Sequence, residues 1–325
     1  MVRAIRIHKP GGADALRFDE IQVGDPGPGQ VRLKQTAIGL NYIDVYHRTG
    51  LYPVPTLPTV IGLEAAGVVE AIGPGVGGLK TGDRVAYGAG PLGAYAQARL
   101  IDAAKVVTLP DGIDERTAAA IMLKGMTAHY LLRRTYVVKP GDTVLVHAAA
   151  GGVGLILCQW AKALGATVIG TVGSKEKAAQ AKAHGCDHPV LYREEDFAAR
   201  VREITKGEGV PVVYDSVGKD TFLKSLDCLK PFGVMVLFGQ SSGPVPPVDL
   251  GVLAQKGSLF VTRPTLMTYV AKRPDLERAA RELFEVVASG KVKVEINQTY
   301  PLAEAARAHR DLEARKTTGS TLLLP

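Results

Sequence analysis

The segment 143–174, TVLVHAAAGGVGLILCQWAKALGATVIGTVGS, decides the fold of this chain. An apolar run of strand length begins at Val144, and apolar side chains recur at helical spacing from Val153 to Leu164. A second run, at 167–172, again has the length and composition of a strand. The segment therefore predicts one βαβ unit: a strand, a glycine turn, a helix and a second strand.

The glycine turn in this unit, AAAGGVG at 148–154, predicts a dinucleotide site. A glycine lets the backbone approach a pyrophosphate, and the N-terminus of the following helix offers unpaired N–H groups. Ala148 replaces the first glycine of the usual GxGxxG, so a plain tight turn between strand and helix is the alternative. The cofactor-binding residues predicted in this turn are Ala150, Gly151, Gly152, Val153 and Gly154.

The end of the second strand indicates which dinucleotide binds. NAD sites usually carry an acidic residue there, about 20 residues after the glycines, to hold the ribose 2′-hydroxyl. This chain has Gly173 and Ser174 at that point, followed by Lys177, and these residues suit a 2′-phosphate. NADPH is therefore the expected cofactor. The alternative is that Ser174 only caps the helix and Lys177 is a solvated surface lysine.

Composition favours a two-domain enzyme. A chain of 325 residues exceeds the size that one core usually serves. The net charge of +7 comes from scattered Lys and Arg, so an acidic cofactor and solubility explain it better than nucleic acid does. No apolar run approaches the roughly 18 residues of a membrane span, and the start lacks a signal-peptide pattern, so we expect a cytoplasmic protein without a membrane partner.

Cysteine usage argues against a disulfide framework and against a cysteine zinc cluster. The chain has three cysteines, Cys158, Cys186 and Cys228, which are widely spaced and form no CxxC pair. We expect them to be buried or idle thiols.

The rest of the chain divides around the βαβ unit. Residues 1–110 are rich in Gly and Pro and hold short alternating segments at 30–40, 66–75 and 83–88, which predict a small barrel-like or irregular β domain. From about 125 to 262, strand and helix patterns alternate, as in a doubly wound parallel sheet.

The C-terminal part has two further signals. An amphipathic helix is expected at about 275–289, because Leu276, Ala280 and Leu283 fall on one face with other apolar residues. A strand at the terminal TLLLP follows, and we expect it to belong with the first domain.

A resemblance extends over essentially the whole chain. The segment GDTVLVHAAAGGVGLILCQWAK at 141–162 resembles the signature of the quinone oxidoreductases related to zeta-crystallin, in the medium-chain dehydrogenase/reductase superfamily. Similar segments stand at NYIDVYHRTGLYP (41–53), IGLEAAGVV (61–69), TGDRVAYG (81–88) and KGMTAHYLL (124–132).

The resemblance implies an α/β architecture of two domains. A GroES-like, mainly β domain would cover 1–124 and be completed by 264–325, and a Rossmann domain binding NADPH would cover 125–263. It also implies a cofactor cleft between the domains and a homodimer joined edge to edge through the Rossmann domains. The β-branched run SLFVTRP at 258–264 is the expected edge strand for that pairing.

Departures from the wider superfamily argue against a metal. Where zinc-dependent alcohol dehydrogenases have a metal-binding Cys and a GHE motif, this chain has Asn41 and the sequence GLE at 62–64. Leu63 cannot bind zinc, and the loop at 88–100 has no cysteine. Without a Lewis acid, the expected chemistry is reduction by NADPH of an acceptor that is already electron-poor, such as a quinone.

The resemblance also assigns site residues. Those on the substrate side or near the nicotinamide amide, taken as catalytic, are Asn41, Tyr46, Tyr52 and Thr127. Further cofactor contacts are Tyr192 at the adenine, Phe238, Gly239, Gln240 and Ser241 at the nicotinamide-side ribose, and Arg315. For these residues the alternatives are packing, surface solvation or, for Asn41, capping of a turn or helix.

Three hypotheses about function follow. The leading one is an NADPH-dependent quinone oxidoreductase. The second is a 2-alkenal or enoyl reductase acting on similar activated double bonds. The third is a non-catalytic role in binding nucleic acid, for which the chain offers neither an aromatic RNA-binding motif nor a dense basic stripe.

Overall fold

The computed structural model describes residues 1–325, which form two units. Unit 1 comprises Met1–Met126, Val270–Ala288 and Val294–Pro325, whereas unit 2 comprises Thr127–Tyr269 and Ser289–Lys293. The division into functional domains at 1–124 with 264–325, and at 125–263, stays a prediction.

The first part of the chain is mainly β. Its strands are β1 (Val2–Ile7), β2 (Leu16–Ile21), β3 (Gln30–Leu40), β4 (Thr59–Val60), β5 (Glu64–Ile72), β6 (Arg84–Tyr87), β7 (Ala98–Asp102) and β8 (Val107–Thr108). Its helices are α1 (Tyr42–Thr49) and α2 (Glu115–Tyr130), and α2 is followed by a π-helical turn at Leu131–Thr135.

The middle part alternates strand and helix. In chain order it contains β9 (Thr143–Val146), α3 (Gly152–Ala163), β10 (Thr167–Val172), α4 (Lys175–Ala183), β11 (His188–Leu191), α5 (Phe197–Ile204), β12 (Val210–Asp215), α6 (Phe222–Leu226), β13 (Leu229–Leu237), α7 (Gly251–Gln255), β14 (Phe260–Thr262) and α8 (Leu266–Tyr269). The predicted βαβ unit at 143–174 is confirmed by β9, α3 and β10.

The last part contributes two helices and two strands. These are α9 (Arg273–Ala288), β15 (Ile296–Pro301), α10 (Ala305–Glu313) and β16 (Ser320–Leu324). The predicted apolar face of α9 is buried at Leu276, Ala280 and Leu283, and the terminal strand pairs with β3 of unit 1, as expected.

Unit 1 is built on two sheets. The larger follows the order β15-β16-β3-β5-β6-β8, with β7 also paired to β3, and the smaller follows the order β2-β1-β4. Strand β3 shows why this part forms a sheet with one buried face: Val31 and Leu33 are fully buried, while Lys34, which points to the opposite face, is exposed. The predicted mainly β character of this unit is confirmed.

Unit 2 is a parallel sheet in the order β11-β10-β9-β12-β13-β14. Every neighbouring pair is parallel. The strand order reverses between β9 and β12, which is the switch point at which doubly wound sheets bind their ligands, beyond the carboxyl ends of the strands. The predicted Rossmann architecture is confirmed. No helix of the chain has both the length and the apolar character needed to cross a membrane.

Candidate functional site

The glycine turn lies at the carboxyl end of β9, at the switch point of the sheet. Gly151 is the N-cap of α3 and has an extended backbone, and its N–H donates to the Ala148 carbonyl at 2.9 Å. No side chain caps this helix, so its first N–H groups are left to an external anion. The turn therefore has the features that a pyrophosphate needs.

Steric crowding explains why the turn uses small residues. A Cβ on Gly154 would lie 2.3 Å from the Ala148 carbonyl oxygen and 2.8 Å from the carbonyl carbon of Ala149. Ala148, which replaces the usual first glycine, has φ of 53°, in the left-handed region that glycine occupies most easily. The substitution keeps the glycine conformation, because alanine adopts it at a small energetic penalty.

The end of β10 brings the three residues predicted to select the dinucleotide close together. Ser174 is the N-cap of α4, and its hydroxyl accepts a hydrogen bond from the Lys177 N–H at 3.3 Å. A Cβ on Gly173 would lie 3.1 Å from the Tyr192 hydroxyl, so this ring stands beside the turn. Capping by Ser174 is thus observed, and the first turn of α4 is a helix N-terminus, which favours an anion.

Charges of both signs lie around this turn. The one acid in the first turn, Glu176, is fully exposed, and the Ser174 hydroxyl lowers the pKa of its carboxyl by hydrogen bonding. Arg193 lies over the exposed Tyr192 ring, with its guanidinium carbon 6.0 Å from the ring centroid. Arg193 was not predicted as a site residue. The feature that could have pointed to it is a cation directly after the tyrosine at the end of a strand.

The segment after β13 lies at the same end of the sheet, folded against the residues that follow β12. The N–H groups of Phe238 and Gly239 both donate to the Asp215 carbonyl, at 2.8 and 3.2 Å. A Cβ on Gly239 would lie 2.6 Å from the Ser216 carbonyl oxygen, so this position requires glycine. Phe238, Gly239, Gln240 and Ser241 are all half-buried, which leaves them reachable from the carboxyl edge.

His147, next to the glycine turn, serves the sheet. Its Nδ1 lies 2.8 Å from the Thr171 hydroxyl and its Nε2 lies 2.8 Å from the Ser225 hydroxyl. Burial lowers the pKa of His147, so the neutral ring is favoured. His147 is therefore a buried strand residue with a hydrogen-bond partner at each ring nitrogen.

In unit 1, α1 brings Tyr46 and Tyr52 together. Their ring centroids are 5.0 Å apart, and the Tyr52 N–H donates to the Tyr46 carbonyl at 3.0 Å. Tyr42 also contacts Tyr46, with 5.5 Å between the ring centroids and the rings inclined by 58°. The result is a short row of aromatic rings with polar tips, which suits a flat ligand that accepts hydrogen bonds.

Asn41, the N-cap of α1, directs its amide toward a buried carboxylate. Its Nδ2 donates to Glu64 Oε2 at 2.7 Å, and the second, weaker contact is to the Gly39 carbonyl at 3.4 Å. Both amide hydrogens therefore have partners inside unit 1. The Asn41 side chain is 5% exposed, so only a small part of it can meet a ligand.

Glu64 is fully buried and accepts three hydrogen bonds. Its Oε1 accepts from the Leu123 N–H at 2.6 Å, while its Oε2 accepts from Asn41 and, at 2.9 Å, from the Lys124 ammonium. A buried carboxylate needs such partners, because desolvation of an unpaired charge is expensive. Glu64 thus fixes the backbone at Leu123 and also binds a buried lysine that was not predicted from the sequence.

Asp44 is the second buried acid near Asn41. Its Oδ2 accepts from the Asn41 N–H and from the Tyr95 hydroxyl, both at 2.9 Å. Burial raises the pKa of this carboxyl to about 7, and its Oδ1 has no hydrogen-bond partner. Asp44 is therefore partly protonated near neutral pH.

The two remaining predicted residues are placed differently. Thr127, the first residue of unit 2, lies in α2 and is 6% exposed. Arg315 follows α10 in unit 1; it is exposed and has φ of 58°.

Metal-binding groups were sought over the whole chain, and no cluster of three or more His, Cys, Asp or Glu side chains has the geometry to hold an ion. Cys158, Cys186 and Cys228 are buried free thiols.

Comparison with known proteins gives the same picture for both units. Residues 27–111 match the family described as Alcohol dehydrogenase GroES-like domain, and residues 152–285 match the family described as Zinc-binding dehydrogenase. A quinone oxidoreductase of Pseudomonas aeruginosa is 55% identical over 325 residues, with 100% of each chain covered.

Two further relatives bear on cofactor and substrate. The crystal structure of Escherichia coli quinone oxidoreductase complexed with NADPH has a TM-score of 0.98 and 52% identity, covering 99% of this chain and 100% of that one. A 2-haloacrylate reductase of a Burkholderia species is 51% identical over 335 residues, with 100% of this chain and 99% of that protein covered.

Proposed function

This chain belongs to the quinone oxidoreductases of the medium-chain dehydrogenase/reductase superfamily, and from this premise we propose how its residues divide the work of reducing a quinone with NADPH. The enzyme is an oxidoreductase whose cofactor is NADPH. The observation that carries the proposal is the turn at 148–154, where an uncapped helix N-terminus and a position that admits only glycine form a pyrophosphate cradle.

The residues of unit 2 are proposed to hold the cofactor. The turn residues Ala150, Gly151, Gly152, Val153 and Gly154 would hold the pyrophosphate. Gly173, Ser174 and Lys177 would hold the 2′-phosphate, and Tyr192 would cover the adenine. Phe238, Gly239, Gln240 and Ser241 would line the nicotinamide-side ribose, with Thr127 at the amide and Arg315 of unit 1 as a further contact. When bound, NADPH supplies the reducing equivalents.

The residues of unit 1 are proposed to receive the quinone. The Tyr46 and Tyr52 rings, 5.0 Å apart and inclined by 60°, offer apolar ring surface with phenolic hydroxyls. Such hydroxyls can donate hydrogen bonds to a quinone oxygen as negative charge develops on it. Asn41 would join them on the substrate side, at the N-terminus of α1, where its amide also donates to Glu64.

A panel of acceptors tests this function. NADPH oxidation is measured with 1,4-benzoquinone, a 2-alkenal and a simple ketone. We expect rapid turnover of the quinone and none of the ketone, because a simple ketone has much weaker electron demand than a quinone. The 51% identical 2-haloacrylate reductase favours activated alkenes as the second candidate class. A clear preference for the alkenal would make that class the substrate, and strong ketone turnover would contradict both.

Metal independence is the first prediction. We expect purified protein to contain no stoichiometric zinc and to keep its activity in chelator, because Asn41 and Leu63 replace two metal ligands of the zinc-dependent relatives. Elemental analysis before and after dialysis against chelator checks this. About one zinc per chain, with activity lost on its removal, would contradict it.

A homodimer through the edge of the parallel sheet is the second prediction. Strand β14 is the outermost strand, and its Phe260 and Val261 are 60% and 40% exposed. An apolar edge with unpaired N–H and C=O groups invites pairing with a second copy.

Light scattering after size exclusion should give twice the mass of one chain. Val261→Lys should give the mass of one chain, because a charge on an edge strand blocks pairing. Leu250→Lys, at an exposed apolar position away from the edge, is the matched control and should stay dimeric. A wild-type monomer, or a dimer unaffected by Val261→Lys, would contradict this interface.

A cytoplasmic location completes the proposal. It is supported by the three buried cysteines, which carry no disulfide. Nothing in the charge distribution supports a nucleic-acid partner, so we do not include one.

A further inference from the structure

The buried lysine of α2 has more hydrogen-bond donors than the protein uses. The Lys124 ammonium donates to Glu64 Oε2 at 2.9 Å, and this is its one hydrogen bond. Its side chain is 6% exposed, and that of Glu64 is 0% exposed. An ammonium has three N–H groups, and Glu64 accepts a hydrogen bond from one of them.

Burial of the Lys124 ammonium is energetically unfavourable, so we look for a function that explains it. A buried ion pair rarely stabilises a fold more than apolar residues of the same volume would. Donors that lose their hydrogen bonds on burial lower the stability of the fold further. Lys124 also interrupts an otherwise apolar stretch, AAAIMLKGMTAHYLL at 118–132. Packing alone would favour a leucine or methionine at this position.

The position of the ammonium relates it to the proposed substrate side. Lys124 and Asn41 donate to the same oxygen atom of Glu64, so the two side chains are neighbours. They are also equally buried, at 5% exposure each. The ammonium therefore lies beside the N-terminus of α1, the helix that carries Tyr46.

We propose that Lys124 is a further catalytic residue, whose ammonium, held by Glu64, donates to the acceptor oxygen on which negative charge develops. This inference rests on the proposed function. It adds a charged hydrogen-bond donor, which the tyrosines on the proposed substrate side do not provide. Glu64 is then a positioning residue, which keeps the cation in place. The other charge close by is Asp44, whose Oδ2 is occupied by Asn41 and Tyr95.

The electrostatic reason is the low dielectric of the buried site. A fixed cation in such a place stabilises a developing oxyanion far more than it would in water. Because it is already oriented, no reorganisation is needed when charge appears. An acceptor with a weaker electron demand of its own can then be reduced.

The test compares a variant that lacks only the lysine charge with a variant in which Lys124 and Glu64 are both replaced by neutral residues. This comparison separates the effect of the charge on the rate from its effect on stability. Lys124→Met removes the ammonium but leaves Glu64 buried and unpaired, so this variant is expected to lose stability. Lys124→Met/Glu64→Gln removes both charges and keeps an amide oxygen for the Asn41 donor. Lys34→Met, at an exposed position of β3, is the matched control. For each protein we measure thermal unfolding, the Kd for NADPH and kcat with 1,4-benzoquinone.

We expect the double variant to recover the unfolding temperature lost in Lys124→Met but not the rate, which stays about 100-fold below wild type. The Kd for NADPH should be unchanged, and Lys34→Met should match wild type throughout. If the double variant regains wild-type kcat, or if its loss appears in the Kd for NADPH instead, the inference is wrong. Failure of wild type itself to turn over benzoquinone would instead contradict the proposed function.

Discussion

Replacing Lys177 by alanine should weaken NADPH binding by about 10- to 150-fold, since a hydrogen bond to a charged group contributes about 1.5–3 kcal/mol. Lys177 lies in the first turn of α4, where the Ser174 hydroxyl accepts its N–H and the helix N-terminus favours an anion. The two residues directly after β10, Gly173 and Ser174, include no acid to hold a ribose 2′-hydroxyl, so the binding of NADH should be weak and nearly unaffected by the change.

Titration of the apoprotein with each dinucleotide measures this effect. Lys175→Ala is the matched control, because Lys175 belongs to the same helical turn but is exposed, whereas Lys177 is half-buried. Equal losses for NADPH and NADH would show that Lys177 does not contact the 2′-phosphate.

Gly154→Ala should disrupt both the fold of the turn and cofactor binding. The new Cβ would lie 2.3 Å from the Ala148 carbonyl oxygen, and backbone cannot yield as a flexible side chain does. Overpacking of this kind destabilises by about 1–3 kcal/mol, occasionally more. We expect a lower unfolding temperature without ligand and a large loss of affinity for NADPH.

Gly151→Ala provides the contrast for that prediction. Its Cβ would lie 3.2 Å from the same oxygen, which is tight but tolerable with a small shift. This variant should unfold near the wild-type temperature and still bind NADPH weakly, because the methyl group would stand where the pyrophosphate approaches. Equal stability of Gly154→Ala and wild type would show that the crowding at this position is relieved more easily than we argue.

Much of unit 2 could be predicted from sequence because its signals are local. The apolar run of β9, the turn and the helical spacing of α3 lie within one continuous segment, and the alternation that follows fixes a parallel sheet. Short elements could not be predicted in this way. Strands β4 and β8 are two residues long, too short for an alternating pattern to show.

The buried polar network of unit 1 could not be predicted, because its partners are far apart in the chain. Glu64 meets Lys124 across 60 positions, and Arg48 contacts His309 across 261. Each of these residues alone resembles a solvated surface charge. The one local signal was Lys124 itself, a charge within an apolar helical stretch.

The structure brings Tyr46 and Tyr52 together, but the sequence could not show which hydrogen bonds the Asn41 side chain forms. Its amide donates to Glu64 at 2.7 Å. That orientation depends on a carboxylate that β5 supplies, and spacing along the chain does not encode it. The role of these residues toward a quinone remains a proposal.

The central claim is that this enzyme reduces a quinone with NADPH and needs no metal. Its most direct test is to treat the protein with chelator, add NADPH and 1,4-benzoquinone, and follow the loss of NADPH and the formation of hydroquinone in the same sample. We predict that both proceed at the untreated rate and in equal amounts. Loss of activity on chelation, or NADPH oxidation without formation of hydroquinone, would contradict the claim.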